Sequence, residues 1–193
     1  MKNIAVDIDD VLGDFVSNFV LFHNNKYGTK LKKENFFSYQ YPMVLGVSEQ
    51  ETIYRIDSFY VSDYFKEIIP ISGSIETISS LKKLGHNLFI VTGRKYSLVQ
   101  ETIEWVSKNF EGMFSDIYHT NSYHSEGEKI KKSKVCLDLN ASIIIDDDLM
   151  HIKDCSLNGI KVLVYDNPWN REILPERAVR VFNWNEILKK LTI

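Results

Sequence analysis

The sequence predicts a doubly wound, three-layer α/β fold built on a mostly parallel sheet. Short apolar runs alternate along the chain with segments whose apolar residues recur at helical spacing, which is the pattern of strand–helix–strand units. The runs are short and rich in Val, Ile and Leu, as expected for strands that helices cover on both faces. The predicted strands are Ile4–Ile8, Asn87–Val91, Ser142–Ile145 and Lys161–Tyr165, with weaker candidates at Phe114–His119 and Val179–Phe182.

Five amphipathic segments supply the predicted helices of this core. Each carries apolar residues three or four positions apart, so that one face can pack on the sheet. Gly85 follows the first of them, where a glycine commonly ends a helix. In a sheet of this kind the ligand site lies beyond the carboxyl ends of the strands, at a switch point. The predicted helices are Ser74–Leu84, Ser97–Phe110, Lys132–Leu139, Leu149–Leu157 and Trp184–Leu191.

Residues 15–71 break the alternation. They hold thirteen of the 21 Phe and Tyr residues in the chain and contain no convincing strand, whereas Gln50–Tyr60 has the spacing of a helix. A segment of this length is too long for a simple crossover connection. We therefore predict a small helical cap at residues 15–71, inserted after the first strand, and an α/β core formed by residues 1–14 and 72–193. The alternative is that these helices extend the core without acting as a lid.

Composition indicates an ordinary globular protein. The 193 residues are 44% hydrophobic and 25% charged, with a net charge of −3, so neither a nucleic-acid polymer nor an anionic membrane is expected as a partner. The N-terminal residues lack the pattern of a signal peptide, and a cytoplasmic location is expected. Cys136 and Cys155 are interpreted as buried free thiols, and His119 and His124 as surface histidines rather than metal ligands.

The first strand ends in an unusual cluster of carboxylates, Asp7, Asp9 and Asp10. Side chains two apart on a strand face the same way, so Asp7 and Asp9 are expected to point at a common site. Carboxylates held this close raise one another's pKa unless a cation or a shared proton relieves the repulsion. The cluster therefore predicts a metal site, proton chemistry, or both.

Further polar groups follow the other predicted strands. Thr92-Gly93-Arg94 follows the second strand, Asp146-Asp147-Asp148 follows a later one, and Lys132 opens the helix before it. Two acidic strand ends can hold Mg²⁺, and a hydroxyl, a glycine N–H and a lysine can bind phosphoryl oxygens. A carboxylate can then attack phosphorus and form an aspartyl phosphate. No phosphate-binding P-loop or dinucleotide-binding glycine motif is present.

Taken together, the four motifs resemble those of the haloacid-dehalogenase-like (HAD) phosphohydrolases, in the same order. The resemblance implies that Asp7 is the nucleophile and a Mg²⁺ ligand. It implies that Asp9 is the general acid and then the base, with its backbone carbonyl on the metal. It also implies that Thr92, Gly93 and Lys132 bind the phosphate. Asp147 would bind the metal directly and Asp146 through a water molecule, although these two residues could exchange roles.

Alternatives exist for the lysine, for Arg94 and for Asp10. Lys131 and Lys134 compete with Lys132, which is preferred because Lys132-Ser133-Lys134-Val135-Cys136 resembles the lysine-led helix start of the family. Arg94 could contact the substrate phosphate or pair with a carboxylate. Asp10 stands where many members of the superfamily carry glycine, and no role is assigned to it.

A narrower resemblance is to the 5'(3')-deoxyribonucleotidase branch and its bacterial and phage relatives, which have an aromatic-rich helical cap after the first strand. It implies a Mg²⁺-dependent nucleotidase acting on a nucleoside monophosphate. A homodimer is kept as one option for the oligomeric state. The alternatives are a phosphatase for sugar phosphates or other small monoesters, and a non-hydrolytic phosphate-accepting signalling module. The motifs that carry the resemblance are Asp9-Asp10-Val11-Leu12-Gly13-Asp14-Phe15, Tyr27-Gly28, Thr102-Ile103-Glu104-Trp105 and Asp166-Asn167-Pro168-Trp169-Asn170.

Overall fold

A six-stranded, all-parallel sheet forms the centre of the molecule, which we describe from a computed structural model covering residues 1–123 and 127–192. The strands follow the order β3-β2-β1-β4-β5-β6 across the sheet. The chain therefore winds outward from β1 in one direction and then from β4 in the other, which places a switch point between these two central strands. The strands are Asn3–Val6 (β1), Asn87–Thr92 (β2), Asp116–His119 (β3), Ile143–Asp146 (β4), Lys161–Tyr165 (β5) and Ala178–Val181 (β6).

Helices fill the connections, and the predicted doubly wound α/β class is confirmed. The five predicted core helices are present, with bounds that differ by no more than two residues from the expected ones. Short 3₁₀ helices occur at Lys33–Asn35, Tyr96–Leu98 and Pro168–Asn170. The α-helices are Phe15–Tyr27 (α1), Tyr41–Leu45 (α2), Glu49–Tyr60 (α3), Asp63–Lys66 (α4), Ser74–Lys83 (α5), Val99–Phe110 (α6), Lys132–Asp138 (α7), Leu149–Leu157 (α8) and Trp184–Thr192 (α9).

Both faces of the sheet are buried, because successive strand residues point to opposite sides. In β4, Ile143 and Ile145 join the hydrophobic cluster that includes residues of α5, α6 and α9. Ile144 joins the opposite cluster, together with Cys136 of α7 and Cys155 of α8. Burial on both faces explains why the strands are continuous apolar runs in the sequence. Both cysteines are buried and free, as predicted.

Residues 15–71 fold into helices α1 to α4, whose aromatic side chains pack on one another. Phe59 of α3 lies at the centre, with its ring centroid 5.2 Å from that of Phe15 and 5.4 Å from that of Phe19, both in edge-on contact. Such pairs contribute about 0.5–1.5 kcal/mol beyond simple burial. The aromatic group is continuous with the hydrophobic cluster on one face of the sheet, so the segment has no separate core.

The two ends of this segment meet in a short hinge beside β1. Asp14 donates its backbone N–H to Ile69 O at 3.0 Å, and Ile71 donates to Leu12 O at 2.8 Å. Gly13 is required by close approach, since a Cβ there would lie 2.8 Å from Ile68 Cγ2. The chain thus leaves the sheet and returns to it at nearly the same point.

His23 of α1 is a buried histidine that provides a test of this packing. Its Nε2 lies 3.0 Å from Arg55 Nη1, and burial and this guanidinium lower the pKa of His23 to about 4. The unfolded chain, with a histidine pKa near 6.5, therefore takes up a proton that the folded protein does not as the pH falls from about 6.5 to about 4, and stability is lost over that window. His23→Gln should remove this part of the pH dependence of the free energy of unfolding.

Between about pH 7 and about pH 5 we expect the free energy of unfolding of the wild type to fall by about 2 kcal/mol more than that of His23→Gln. Urea denaturation at each pH measures the difference. Parallel pH dependences for the two proteins would contradict the assignment.

Within the described ranges, every helix is too short or too polar to cross a lipid bilayer. His119 is half-buried at the end of β3 rather than on the surface as predicted, and His124 lies outside the described residues.

Candidate active site

The candidate site lies at the carboxyl ends of β1, β2 and β4, next to the switch point. One detail of the prediction was wrong: β1 ends at Val6, so Asp7 and Asp9 lie on the following loop rather than on one face of a strand. Asp7 still continues the sheet, because its N–H donates to Ile145 O at 2.9 Å. Beyond it, the Ile8 carbonyl accepts the N–H groups of residues 11 to 13, which turns the loop back on itself.

Lys132 and two carboxylates form the buried centre of the site. Lys132, the first residue of α7, places Nζ 2.9 Å from Asp7 Oδ1 and 2.8 Å from Asp146 Oδ2. Only 1% of its side chain is exposed. Burial acts to lower the pKa of Lys132, but the two carboxylates outweigh this and raise it. The ammonium group therefore stays charged and ties β1 and β4 together electrostatically.

Asp147 accepts three hydrogen bonds on a single oxygen, Oδ2. The donors are Tyr39 Oη at 2.8 Å, Trp169 Nε1 at 2.8 Å and Asn167 Nδ2 at 3.3 Å. None of the three uses Oδ1. Trp169 and Asn167 come from the 3₁₀ turn after β5, whereas Tyr39 comes from residues 15–71, so that segment contacts the acidic centre directly.

The three buried carboxylates have the composition and spacing of a cation site. One oxygen from each of Asp7, Asp146 and Asp147 lies within 4.8 Å of the others. Burial raises the pKa of Asp7 to about 7, even though the Lys132 ammonium acts to lower it. Burial and neighbouring carboxylates likewise raise the pKa of Asp147 well above its ordinary value. A divalent cation would relieve this repulsion, and Mg²⁺ prefers oxygen donors, so the donor set fits Mg²⁺.

Asp146 and Asp148 also hold the backbone at the end of β4. Asp148 accepts the Met150 N–H at 2.6 Å and so caps α8. Asp146 also accepts the Asp148 N–H, at 3.0 Å, on the oxygen that Lys132 does not contact. Both Asp146 oxygens are therefore engaged by the protein.

Thr92 and Gly93 occupy the end of β2. Thr92 is fully buried, and its Oγ1 accepts the Arg94 N–H at 3.3 Å. A Cβ at Gly93 would lie 3.0 Å from the Tyr123 ring, so the glycine permits a close approach. The competing lysines lie elsewhere: Lys131 pairs with an acidic residue on the surface, and so does Lys134.

Asp10, for which the sequence offered no role, is a buried turn residue. Its φ of 56° is the left-handed conformation that favours glycine. Its carboxylate accepts the Val16 N–H at 3.2 Å, one of the free amides at the start of α1. Lys33 Nζ lies 2.9 Å from Asp10 and 2.7 Å from Asp14. Asp10 thus starts α1 and pairs with the segment that follows it.

A cavity of about 530 Å³ opens over these groups. Its floor includes Asp7, Asp9, Gly93, Lys132 and Asp147, whereas Thr92 and Asp146 are not among the described residues that line it. The opposite wall comes from α1 to α3 and the loop before α2, and it mixes apolar, hydroxyl-bearing and acidic side chains. Lining residues from this wall are Phe15, Tyr39, Tyr41, Pro42, Glu49, Thr52, Ile53, Ile56, Asp57 and Tyr60.

Solved structures with the same fold include hydrolases of the HAD class. A haloacid dehalogenase-like family protein from Streptococcus pneumoniae superposes with a TM-score of 0.72 at 17% identity, covering 99% of this chain and 98% of that one. A HAD family hydrolase from Deinococcus radiodurans, solved with bound phosphate and sodium, gives a TM-score of 0.69 at 13% identity, covering 100% and 95%. The fold is therefore that of the HAD phosphohydrolases.

Sequence comparison narrows the class. The 5'(3')-deoxyribonucleotidase of Bacillus subtilis is 28% identical over 191 residues, covering 98% of each chain. A nucleotidase of Clostridium acetobutylicum is 23% identical, covering 96% of this chain and 91% of that one. Residues 1–192 match the model of the family described as "5' nucleotidase, deoxy (Pyrimidine), cytosolic type C protein", and the chain belongs to that family. It is a phosphohydrolase, so the signalling-module alternative has no support.

Proposed function

We propose that this protein is a Mg²⁺-dependent 5'-nucleotidase that hydrolyses (deoxy)nucleoside monophosphates through an aspartyl phosphate on Asp7. The observation that carries the proposal is the buried Asp7 carboxylate, paired with Lys132 at 2.9 Å and facing a cavity with aromatic walls. In the first step an Asp7 oxygen attacks phosphorus while the bond to the nucleoside oxygen breaks and Asp9 gives that oxygen a proton. In the second step Asp9 takes a proton from water, which attacks phosphorus and releases Asp7 and inorganic phosphate.

Charge neutralisation is assigned to the groups around Asp7. Lys132 offsets the charge of Asp7 and of the phosphoryl oxygens, while Thr92 Oγ1 and the Gly93 N–H bind those oxygens. Mg²⁺, when bound, would supply a further positive charge that stabilises the transferring phosphoryl group.

The geometry of the acidic cluster supports the following assignment of the metal ligands. Asp7 and the backbone carbonyl of Asp9 are assigned from the loop after β1. Asp147 is assigned as a direct ligand because its three hydrogen bonds leave Oδ1 unused. Asp146 is assigned an indirect role through water, since both of its oxygens are already engaged.

The helical segment 15–71 is assigned as a cap that selects the leaving group, and residues 1–14 and 72–193 as the catalytic core. The wall formed by Tyr41, Ile53 and Tyr60 offers flat and apolar surface next to the phosphoryl site. Stacking of a base on an aromatic side chain contributes about 1–3 kcal/mol. A nucleoside uses such a wall better than a bare sugar does.

A phosphate-release screen in Mg²⁺ buffer tests this assignment. We expect kcat/KM for the best nucleoside 5'-monophosphate to exceed that for ribose 5-phosphate by about tenfold or more, because only the base differs between them. Glucose 6-phosphate and phosphoglycolate extend the panel, and release should stop in EDTA. Equal or faster hydrolysis of the sugar phosphates would exclude a nucleotidase and leave a general phosphomonoesterase.

A further inference from the structure

Asp9 is held by a buried arginine that the proposed mechanism does not use. Arg94 Nη2 lies 2.6 Å from Asp9 Oδ1, and Arg94 Nε lies 2.9 Å from Asp9 Oδ2. The two N–H groups meet the two carboxylate oxygens side by side, which is the fork geometry that only arginine offers. The contact joins the loop after β1 to the end of β2.

The guanidinium is itself fixed from behind. Its Nη1 lies 3.3 Å from Thr102 Oγ1 on α6, and its central carbon lies 4.8 Å from the centroid of the Phe65 ring. The Arg94 side chain is 2% exposed, whereas that of Asp9 is 26% exposed. Arg94 also lines the cavity, but its guanidinium is held by Asp9, Thr102 and Phe65. Arg94 is therefore a rigid support, and Asp9 is the more exposed partner that it presents to the cavity.

Asp9 needs such a support because of where it lies. It is on a loop beyond the end of β1, so the ladder of the sheet does not orient its side chain. Proton transfer to a leaving oxygen depends on the distance and direction of the carboxyl group. Each carboxylate oxygen keeps a lone pair outside the fork that can carry the proton.

We propose that Arg94 is a positioning residue that fixes the Asp9 carboxyl group for proton transfer to the leaving group. The inference rests on the role given to Asp9 in the proposed function. If this is the role of Arg94, its loss should lower kcat/KM only for substrates whose leaving oxygen must be protonated. If Arg94 instead bound the phosphoryl group, its loss would slow all substrates alike.

Two substrates separate these outcomes. A nucleoside monophosphate releases an alkoxide that must be protonated, whereas p-nitrophenyl phosphate releases a phenolate that is stable at neutral pH. The value of kcat/KM reports only the steps up to departure of that group. We expect Arg94→Met to lower kcat/KM by about 10²-fold for the nucleotide and by less than about threefold for the aryl ester.

Three variants serve as controls. Arg94→Lys keeps the positive charge but cannot contact both oxygens of Asp9 side by side. We therefore expect this variant, like Arg94→Met, to lose more kcat/KM on the nucleotide than on the aryl ester. Lys153→Met removes a cation that pairs with Glu172 on the surface, away from the cavity, and should lower kcat/KM for neither substrate. In an Asp9→Asn background, Arg94→Met should cause less than about a twofold further loss, because both changes remove the same function.

The outcomes separate the role of Arg94 from the proposed nucleotidase mechanism. Equal losses on both substrates, or independent effects in the double variant, would overturn the role of Arg94 while leaving the nucleotidase proposal intact. If Asp9→Asn itself has wild-type kcat/KM on the nucleotide, the proposed mechanism fails and the role of Arg94 fails with it. Circular dichroism and denaturation of each variant show whether it is folded.

Discussion

Replacing Asp7 with asparagine is expected to lower kcat for every phosphomonoester by about 10⁴-fold or more, because the amide oxygen is a poor nucleophile and no acyl phosphate can form. The fold should persist. Burial raises the pKa of the Asp7 carboxyl group to about 7, so a neutral side chain of the same shape suits the site, and Lys132 keeps Asp146 as its partner.

Steady-state phosphate release, together with acid quenching of labelled substrate, measures the effect. The wild type should carry label on Asp7, and the variant should carry none. Asp14→Asn is the matched control, since it makes the same chemical change at a carboxylate paired with Lys33 at the hinge. Near-normal activity of Asp7→Asn on all substrates tested would refute the aspartyl-phosphate mechanism.

Lys132→Met should damage both stability and activity. The change leaves Asp7 and Asp146 buried without their shared cation, and breaking a buried pair in this way typically costs about 3–5 kcal/mol. Activity should fall as well, since neither Asp7 nor the phosphoryl group is neutralised from that side. Urea denaturation without metal measures the loss of stability.

Adding Mg²⁺ should restore part of the stability of Lys132→Met, because a cation that binds only the folded protein shifts the equilibrium toward it. Lys134→Met is the control: this lysine is on the same helix but pairs with Asp138 on the surface. Its unfolding free energy should stay close to that of the wild type. If the two variants are equally stable, the buried pair does not hold β1 and β4 together.

The sequence was sufficient for most of the fold. Parallel strands that are buried on both faces appear as short continuous apolar runs. The helices between them are recognised because their apolar residues recur every three or four positions. The end of β1 was misplaced because Ile8 is fully buried but lies in the turn, where its carbonyl accepts three amide hydrogens. An apolar residue in a buried turn cannot be told from a strand residue by pattern alone.

The acidic residues and Lys132 were identifiable because each stands directly at a strand end or a helix start. The contacts that orient them were not. Arg94 lies 85 positions from Asp9, and Tyr39 lies 108 positions from Asp147. Spacing along the chain carries no information about such pairs, although Arg94 beside Thr92-Gly93 was a visible candidate.

The hinge beside β1 has a consequence for how this enzyme can diversify. Gly13 and Pro70 face each other in an antiparallel bridge, so the helices between them are attached to the sheet through two neighbouring points. Because the closing distance is set by the sheet and not by the length of the segment, lengthening it adds only a small entropic cost. Insertions in the loops between these helices can therefore be tolerated without moving Asp7, whereas the helices themselves are constrained because they share the hydrophobic cluster of the sheet. Substrate preference can change most freely at those loops.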